Sequence, residues 1–254
     1  MSNKNIVSIS LMCKELFLLI VLFFFLAEPS NAESLPRKNM EEGTHLFIFS
    51  GQSNMARFKT KDVFQPIVED EFGSENVIIV KEAKGGQPIS RWYKNWKSVN
   101  GEMPESTGDI YDVLMEKVRL AIKDKSLASV TFFWMQGEQD AKVSQGEVYE
   151  ESLKGLLAQL QLDLQFNEIN FVCGRLSDFG MDNKKCPHWM MIRDIQQSFA
   201  ESYSNGAWIN TDDLNDGLDK KGRDRQNALH YTVEGYKILG ERYAEKAIKL
   251  INGK

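Results

Sequence analysis

In the stretch His45 to Met55, HLFIFSGQSNM, Ser53 sits at the tip of a small polar turn that follows four apolar residues in a row, Leu46 to Phe49. Such a run reads as a strand buried on both faces, and open α/β sheets bind ligands at the carboxyl ends of their strands. A serine so placed can attack an acyl carbon if three other parts are present. These are a base to take its proton, a group to orient that base, and donors for the developing oxyanion. The backbone N–H of Ser53 is one candidate donor. Gly86, with no side chain to block approach, could offer a second N–H, and Gln136 its side-chain amide. A base that works near neutral pH without a large pKa shift is histidine, and the chain has three: His45, His188 and His230. His45 precedes the first strand, at the rim away from Ser53. His188 follows Cys186-Pro187 and stays a candidate beside His230, which lies in Asn227-Ala228-Leu229-His230-Tyr231.

The elements that must position these residues alternate. Strands are expected at Leu46–Phe49, Val77–Val80, Val130–Trp134, Ile169–Cys173 and Ala207–Asn210, each a short apolar run. Between them, apolar residues at Ile110, Val113, Leu114, Val118, Ala121 and Ile122 mark one helix, and Tyr149, Leu153, Leu156, Leu157 and Leu160 a second. A third helix is expected over Trp189–Tyr203, and a closing one begins near Thr232, a plausible N-cap. The segment from Phe58 to Ser74 shows no sustained period and reads as mostly loop. Alternating strands and helices imply right-handed crossovers, hence a mostly parallel five-stranded sheet in a flavodoxin-like three-layer α/β/α sandwich. Glycine-bearing turns follow the first three strands, so Ser53, Gly86 and Gln136 would converge on one rim.

Composition narrows the function. At 254 residues, 42% hydrophobic and 26% charged, the chain is of ordinary globular make-up. Its net charge of −5 leaves no basic stripe for nucleic acid, and neutral or small substrates fit better than polyanions. Leu16 to Ala27 is unbroken apolar sequence, too short to span a bilayer, and it ends near Ser30 and Ala32 in a small-x-small pattern. Residues 1–32 therefore read as a signal peptide and 33–44 as a polar lead, with the domain over 45–254. The product is secreted or periplasmic, without stable membrane insertion after cleavage; the rival is an uncleaved N-terminal anchor. Cys173 and Cys186 remain in the mature chain as a pair that an oxidising compartment could bridge. Trp92, Tyr93 and Trp96 read as packing before sugar stacking. The run Asp213, Asn215, Asp216, Gly217 and Asp224 misses a calcium loop, because its glycine comes at the fifth position instead of the sixth.

Four blocks, in this order, resemble the SGNH hydrolases: Gly51-Gln52-Ser53-Asn54-Met55; Gly85-Gly86 with Pro88 and Trp92; Trp134-x-Gln136-Gly137-Glu138-x-Asp140; and Leu229-His230 followed by Gly235 and Leu239-Gly240. Within that superfamily they are similar to the sialate O-acetylesterase and acetylxylan esterase branch, carbohydrate esterase family six. The resemblance implies Ser53 as nucleophile, His230 as base, and Ser53, Gly86 and Gln136 as oxyanion hole. It also implies no metal or other cofactor and an acetylated carbohydrate, a glycan or sialic acid, as substrate. One departure stands out: the family usually carries Asp three residues before the histidine, and this chain has Asn227. Glu138 is the first substitute as orienting residue and Asp224 the second. The alternative function is a carbohydrate-binding protein of weak or no activity on the same fold.

Overall fold

The computed structural model describes residues 43–253. The signal-peptide reading for 1–32 falls outside the described residues, as does the polar lead read over 33–44 as far as residue 42. Five strands, β1 (Thr44–Gly51), β2 (Val77–Ala83), β3 (Leu127–Met135), β4 (Ile169–Gly174) and β5 (Gly206–Ile209), pair in parallel in the order β2-β1-β3-β4-β5. This is the doubly wound order expected of a flavodoxin-like fold, and the direction of winding switches between β1 and β3. Every residue of β1 is buried, as its unbroken apolar run requires of a strand covered on both faces.

Alternate side chains of the central strands feed two cores. Leu46, Ile48, Phe132 and Trp134 pack with Leu114, Leu153 and Ile192, which belong to α3 (Asp109–Ala121), α5 (Tyr149–Leu164) and α6 (Trp189–Ser202). Phe47, Phe49 and Phe133 face the other way, toward Val68 of α2 (Phe64–Phe72) and Leu239 and Tyr243 of α7 (Val233–Asn252). The Phe49 and Phe133 rings stack at 4.2 Å between neighbouring strands. Each fully buried phenylalanine stabilises the fold by about 2–3 kcal/mol relative to exposure, so these layers hold the strand ends in register.

Helix α2 occupies part of the segment read from sequence as loop. Its buried residues Phe64, Val68 and Phe72 fall four apart, and Pro66 lies in its first turn, where the missing N–H has no intrahelical acceptor to lose. Nine residues are too few to declare a period; packing against α7 and β2 makes the helix. The cap read at Thr232 is present: its Oγ1 accepts from the Gly235 N–H at 2.9 Å, while its own N–H donates to Leu214 O. Thr232→Ala should cost about 1 kcal/mol of stability in urea unfolding, the ordinary worth of an N-cap.

Candidate active site

The ends of β1 and β3 approach closely. The Gln52 N–H donates to Met135 O at 2.9 Å, and a Cβ on Gly51 would sit 2.0 Å from that oxygen, with φ at +144°. Only glycine fits there, and the tight turn delivers Ser53 as the first residue of α1 (Ser53–Arg57). The His230 side chain arrives from the segment before α7. Its Nε2 lies 3.0 Å from Ser53 Oγ, between residues 177 positions apart. Burial, and to a smaller degree the positive charge of Arg57, hold the His230 imidazole below the usual histidine pKa. The neutral base form thus prevails at neutral pH.

The other histidines are accounted for elsewhere. His45 Nδ1 is 2.8 Å from Ser129 Oγ, buried against Phe72, and His188 Nδ1 accepts from the Gly146 N–H at 3.0 Å. Among the described residues, His230 is the histidine whose ring comes within hydrogen-bond distance of Ser53.

Gly86 lies in a loop tied to both strand ends. The Lys84 N–H donates to Gly51 O, Gln136 Nε2 donates to Gln87 O at 3.0 Å, and the Ile89 N–H donates to Asp140 Oδ2 at 3.0 Å. At Gly86 itself φ is +70°, and no heavy atom stands within 4 Å of where a Cβ would be, so the loop is open at that point. Gln136 differs from its expected part. Its amide also donates to Asp140 Oδ2, so both N–H bonds are committed, and its Oε1 accepts from the Tyr149 hydroxyl. A free oxyanion donor is therefore not what this side chain presents; it fastens the Gly86 loop to β3.

The candidates for the orienting residue make their bonds elsewhere. Among the described residues, none of the three candidates hydrogen-bonds the His230 ring. Glu138 opens α4 (Glu138–Lys142) and is buried, with Oε1 accepting from Asn54 Nδ2 at 3.3 Å and Oε2 unpartnered. Asn54 Nδ2 donates in turn to Leu229 O at 3.1 Å, and Asn54 Oδ1 accepts from the Tyr236 hydroxyl at 2.9 Å. Glu138 therefore reaches His230 only through an amide and the neighbouring carbonyl. Asn227, with φ of +44°, turns its side chain to Asn215 and Asp178 O. Asp224 belongs to a two-stranded hairpin, β6 (Gly217–Leu218) and β7 (Asp224–Arg225), and is exposed. Burial pushes the Glu138 carboxyl up to about 7, against hydrogen bonds from its own backbone and Asn54 that oppose the rise. It does the same to Asp140, also to about 7.

Sequence reasoning gave no role to Asn54, although it lies in a quoted block, nor to Tyr236. The signal for Asn54 was its place beside Ser53. Trp92 and Trp96 are buried, Trp92 Nε1 donating to Ser50 Oγ, which bears out their reading as packing. Cys173 and Cys186 are both buried, unbridged thiols. Asp213 pairs with Arg242 and Asp216 accepts from the Asn227 N–H, and among the described residues no group of side chains is set to hold a metal.

With the geometry in place, comparison with known proteins is decisive at the level of family. The profile of a family described as carbohydrate esterase, sialic acid-specific acetylesterase, matches residues 57–249, about three quarters of the chain. The chain belongs to this family. The matched stretch of this carbohydrate esterase contains Gly86, Gln136, Glu138 and His230 and begins just after Ser53. No curated protein matches the sequence. Among solved structures, an Arabidopsis thaliana protein aligns over 82% of this chain and 98% of its own at 16% identity, with a TM-score of 0.60. A carbohydrate acetylesterase from Xanthomonas citri aligns over 82% of this chain and 56% of its own at 14% identity, with a TM-score of 0.60. NanS aligns over 83% of this chain and 98% of its own at 14% identity, with a TM-score of 0.57. At such identities these likenesses establish the fold. Among the described residues, no helix of the esterase is long and apolar enough to cross a membrane.

Proposed function

We propose that this carbohydrate esterase is a serine enzyme that removes O-acetyl groups from a sugar through an acyl-enzyme intermediate. The observation that carries the reading is the 3.0 Å approach of His230 Nε2 to Ser53 Oγ at the carboxyl edge of the sheet. His230 takes the Ser53 proton as Oγ attacks the acetyl carbon, and the oxyanion rests on the backbone N–H groups of Ser53 and Gly86. The imidazolium then gives its proton to the departing sugar oxygen, leaving acetyl-Ser53. A water, deprotonated by His230, attacks that ester and releases acetate.

In this reading Ser53 and His230 act as a dyad, since among the described residues no carboxylate reaches the ring. In the serine-protease template, loss of the carboxylate costs roughly 10⁴ in kcat, so turnover below that of a full triad is expected. The secretory reading of residues 1–32 would put this chemistry outside the cytoplasm.

A p-nitrophenyl alkylphosphonate tests the nucleophile. It should add once, at Ser53, with release of one p-nitrophenolate, as read by peptide mass. No adduct, or an adduct on another residue, overturns the serine mechanism and favours a carbohydrate-binding protein on this fold.

A further inference from the structure

Among the described residues, the His230 ring makes one hydrogen bond, to Ser53, and none to a group that would fix its direction. Where the imidazole stands is therefore set by what holds the chain on either side of it. Three N–H groups of that chain are tied to one stretch: Asn227 donates to Asp216 Oδ1, Ala228 to Asn215 O and Thr232 to Leu214 O. All three anchors follow β5, the edge strand that lies three places from β1 in the sheet. None of them sets the distance to Ser53, which is carried on the turn after β1.

One side chain does. Asn54 follows Ser53 in α1 and is buried, and its Nδ2 donates at 3.1 Å to Leu229 O, the carbonyl immediately before His230. Besides the Ser53–His230 contact itself, this is the single hydrogen bond among the described residues that joins the serine turn to residues 227–232. The amide is held on its other sides as well. Glu138 Oε1 accepts from Nδ2 at 3.3 Å, and the Tyr236 hydroxyl donates to Oδ1 at 2.9 Å. A carbonyl oxygen can only accept, so the group facing Leu229 O has to be a donor. An ionised aspartate has the same shape and no proton to give.

We propose that Asn54 is the positioning residue of the Ser53–His230 pair: by clasping Leu229 O, its amide sets the histidine against the serine. It thereby takes over the placing that the carboxylate performs in the serine-protease template. Glu138 and Tyr236 keep the amide from turning, so that its donor stays aimed at the carbonyl. The proposal rests on the serine-esterase reading above and adds a residue to it.

The first measurement is aryl acetate hydrolysis. Asn54→Asp keeps the shape and loses the donor, and Asn54→Ala loses the side chain. Each should lower kcat about 10²-fold, the scale of a displacement of about 1 Å at a reacting group, with KM changed less than about threefold. In a His230→Ala background the same substitutions should cost nothing further, because a residue that acts through the imidazole has nothing left to place. Full kcat in Asn54→Asp overturns the proposal. So does an equal additional loss in the His230→Ala background, which would mark a role in folding or binding instead. Should either variant fail to fold, Tyr236→Phe, which frees only the amide oxygen, keeps the test: a loss of kcat at constant KM that vanishes without His230 is expected, and an unchanged kcat overturns the proposal.

A readout independent of turnover separates the proposal from the esterase reading. The three imidazoles, at His45, His188 and His230, can be followed by NMR through a pH titration. Burial holds the His230 ring below the ordinary 6.5, so a ring released from its place should titrate nearer 6.5 in the variants than in the wild type, with His45 unmoved beside Ser129. An unmoved His230 overturns the proposal even where no ester is cleaved. If His230 moves in a protein that cleaves none, the positioning stands and it is the esterase reading that fails.

Discussion

Ser53→Ala should abolish acetate release from an aryl acetate, lowering kcat by roughly 10⁴ or more, while thermal unfolding stays within a degree or two of the wild type. The side chain of Ser53 is half-buried and, among the described residues, its hydroxyl bonds only to the half-buried His230 ring, so its removal leaves no fully buried group unpaired there. His230→Ala should be as damaging, since without the imidazole the hydroxyl keeps its proton. The two residues act as a unit, and the double variant should be no worse than either single one. Hydrolysis retained by Ser53→Ala would end the assignment of this site. Retained only in His230→Ala, it would move the base elsewhere on the same rim.

The second large effect concerns stability and pH. Glu138 and Asp140 are buried, and each carboxyl is raised to about 7 from ordinary values of 4.5 and 3.8. A carboxyl raised in the folded state binds a proton there at a pH where the unfolded chain has released it. Its contribution to stability is therefore fully present below the unfolded value and is lost as pH rises through 7. Urea unfolding should accordingly show the esterase most stable near pH 5 and less stable at pH 8, with Glu138 alone contributing on the order of 3 kcal/mol to the fall. Glu138→Gln should remove that share and make the variant more stable than the wild type at pH 8. A pH-independent stability, or an equal fall in the variant, would show that Glu138 is ionised in the fold.

The same substitution reads out the catalytic role of Glu138. Glutamine keeps an oxygen for Asn54 Nδ2, so the link through Leu229 O to the His230 segment survives, and kcat should drop less than tenfold. A direct carboxylate–imidazole pair would instead cost roughly 10⁴ on conversion to the amide. Asp224→Asn, on the exposed hairpin, should leave kcat unchanged.

Much of the fold was legible because its signals are local. Four apolar residues before a glycine turn read as a covered strand, and five such runs alternating with helical periods imply a mostly parallel sheet. The scarcity of histidine narrowed the base to His188 or His230, and Thr232 announced the start of α7. The missed helix α2 had no such signal, since its nine residues carry only three buried side chains and a proline. Gln136 was expected to offer its amide at the rim; in the structure that amide bonds Gln87 and Asp140, partners set by the path of a loop.

The sequence alone led to the expectation that a serine turn, a glycine loop and a Trp-x-Gln-Gly-Glu block would meet at one edge of a parallel sheet, with His188 or His230 as the base. It did so because each lies within a few residues of an element whose period and burial are written locally. Only the tertiary structure decided which groups touch. Glu138 meets Asn54 rather than His230, and Asn227 turns to Asn215 and Asp178. Those contacts depend on strand register, helix packing and the left-handed turn at Asn227, which fix positions to within the 3 Å a hydrogen bond allows, and no local pattern carries that precision.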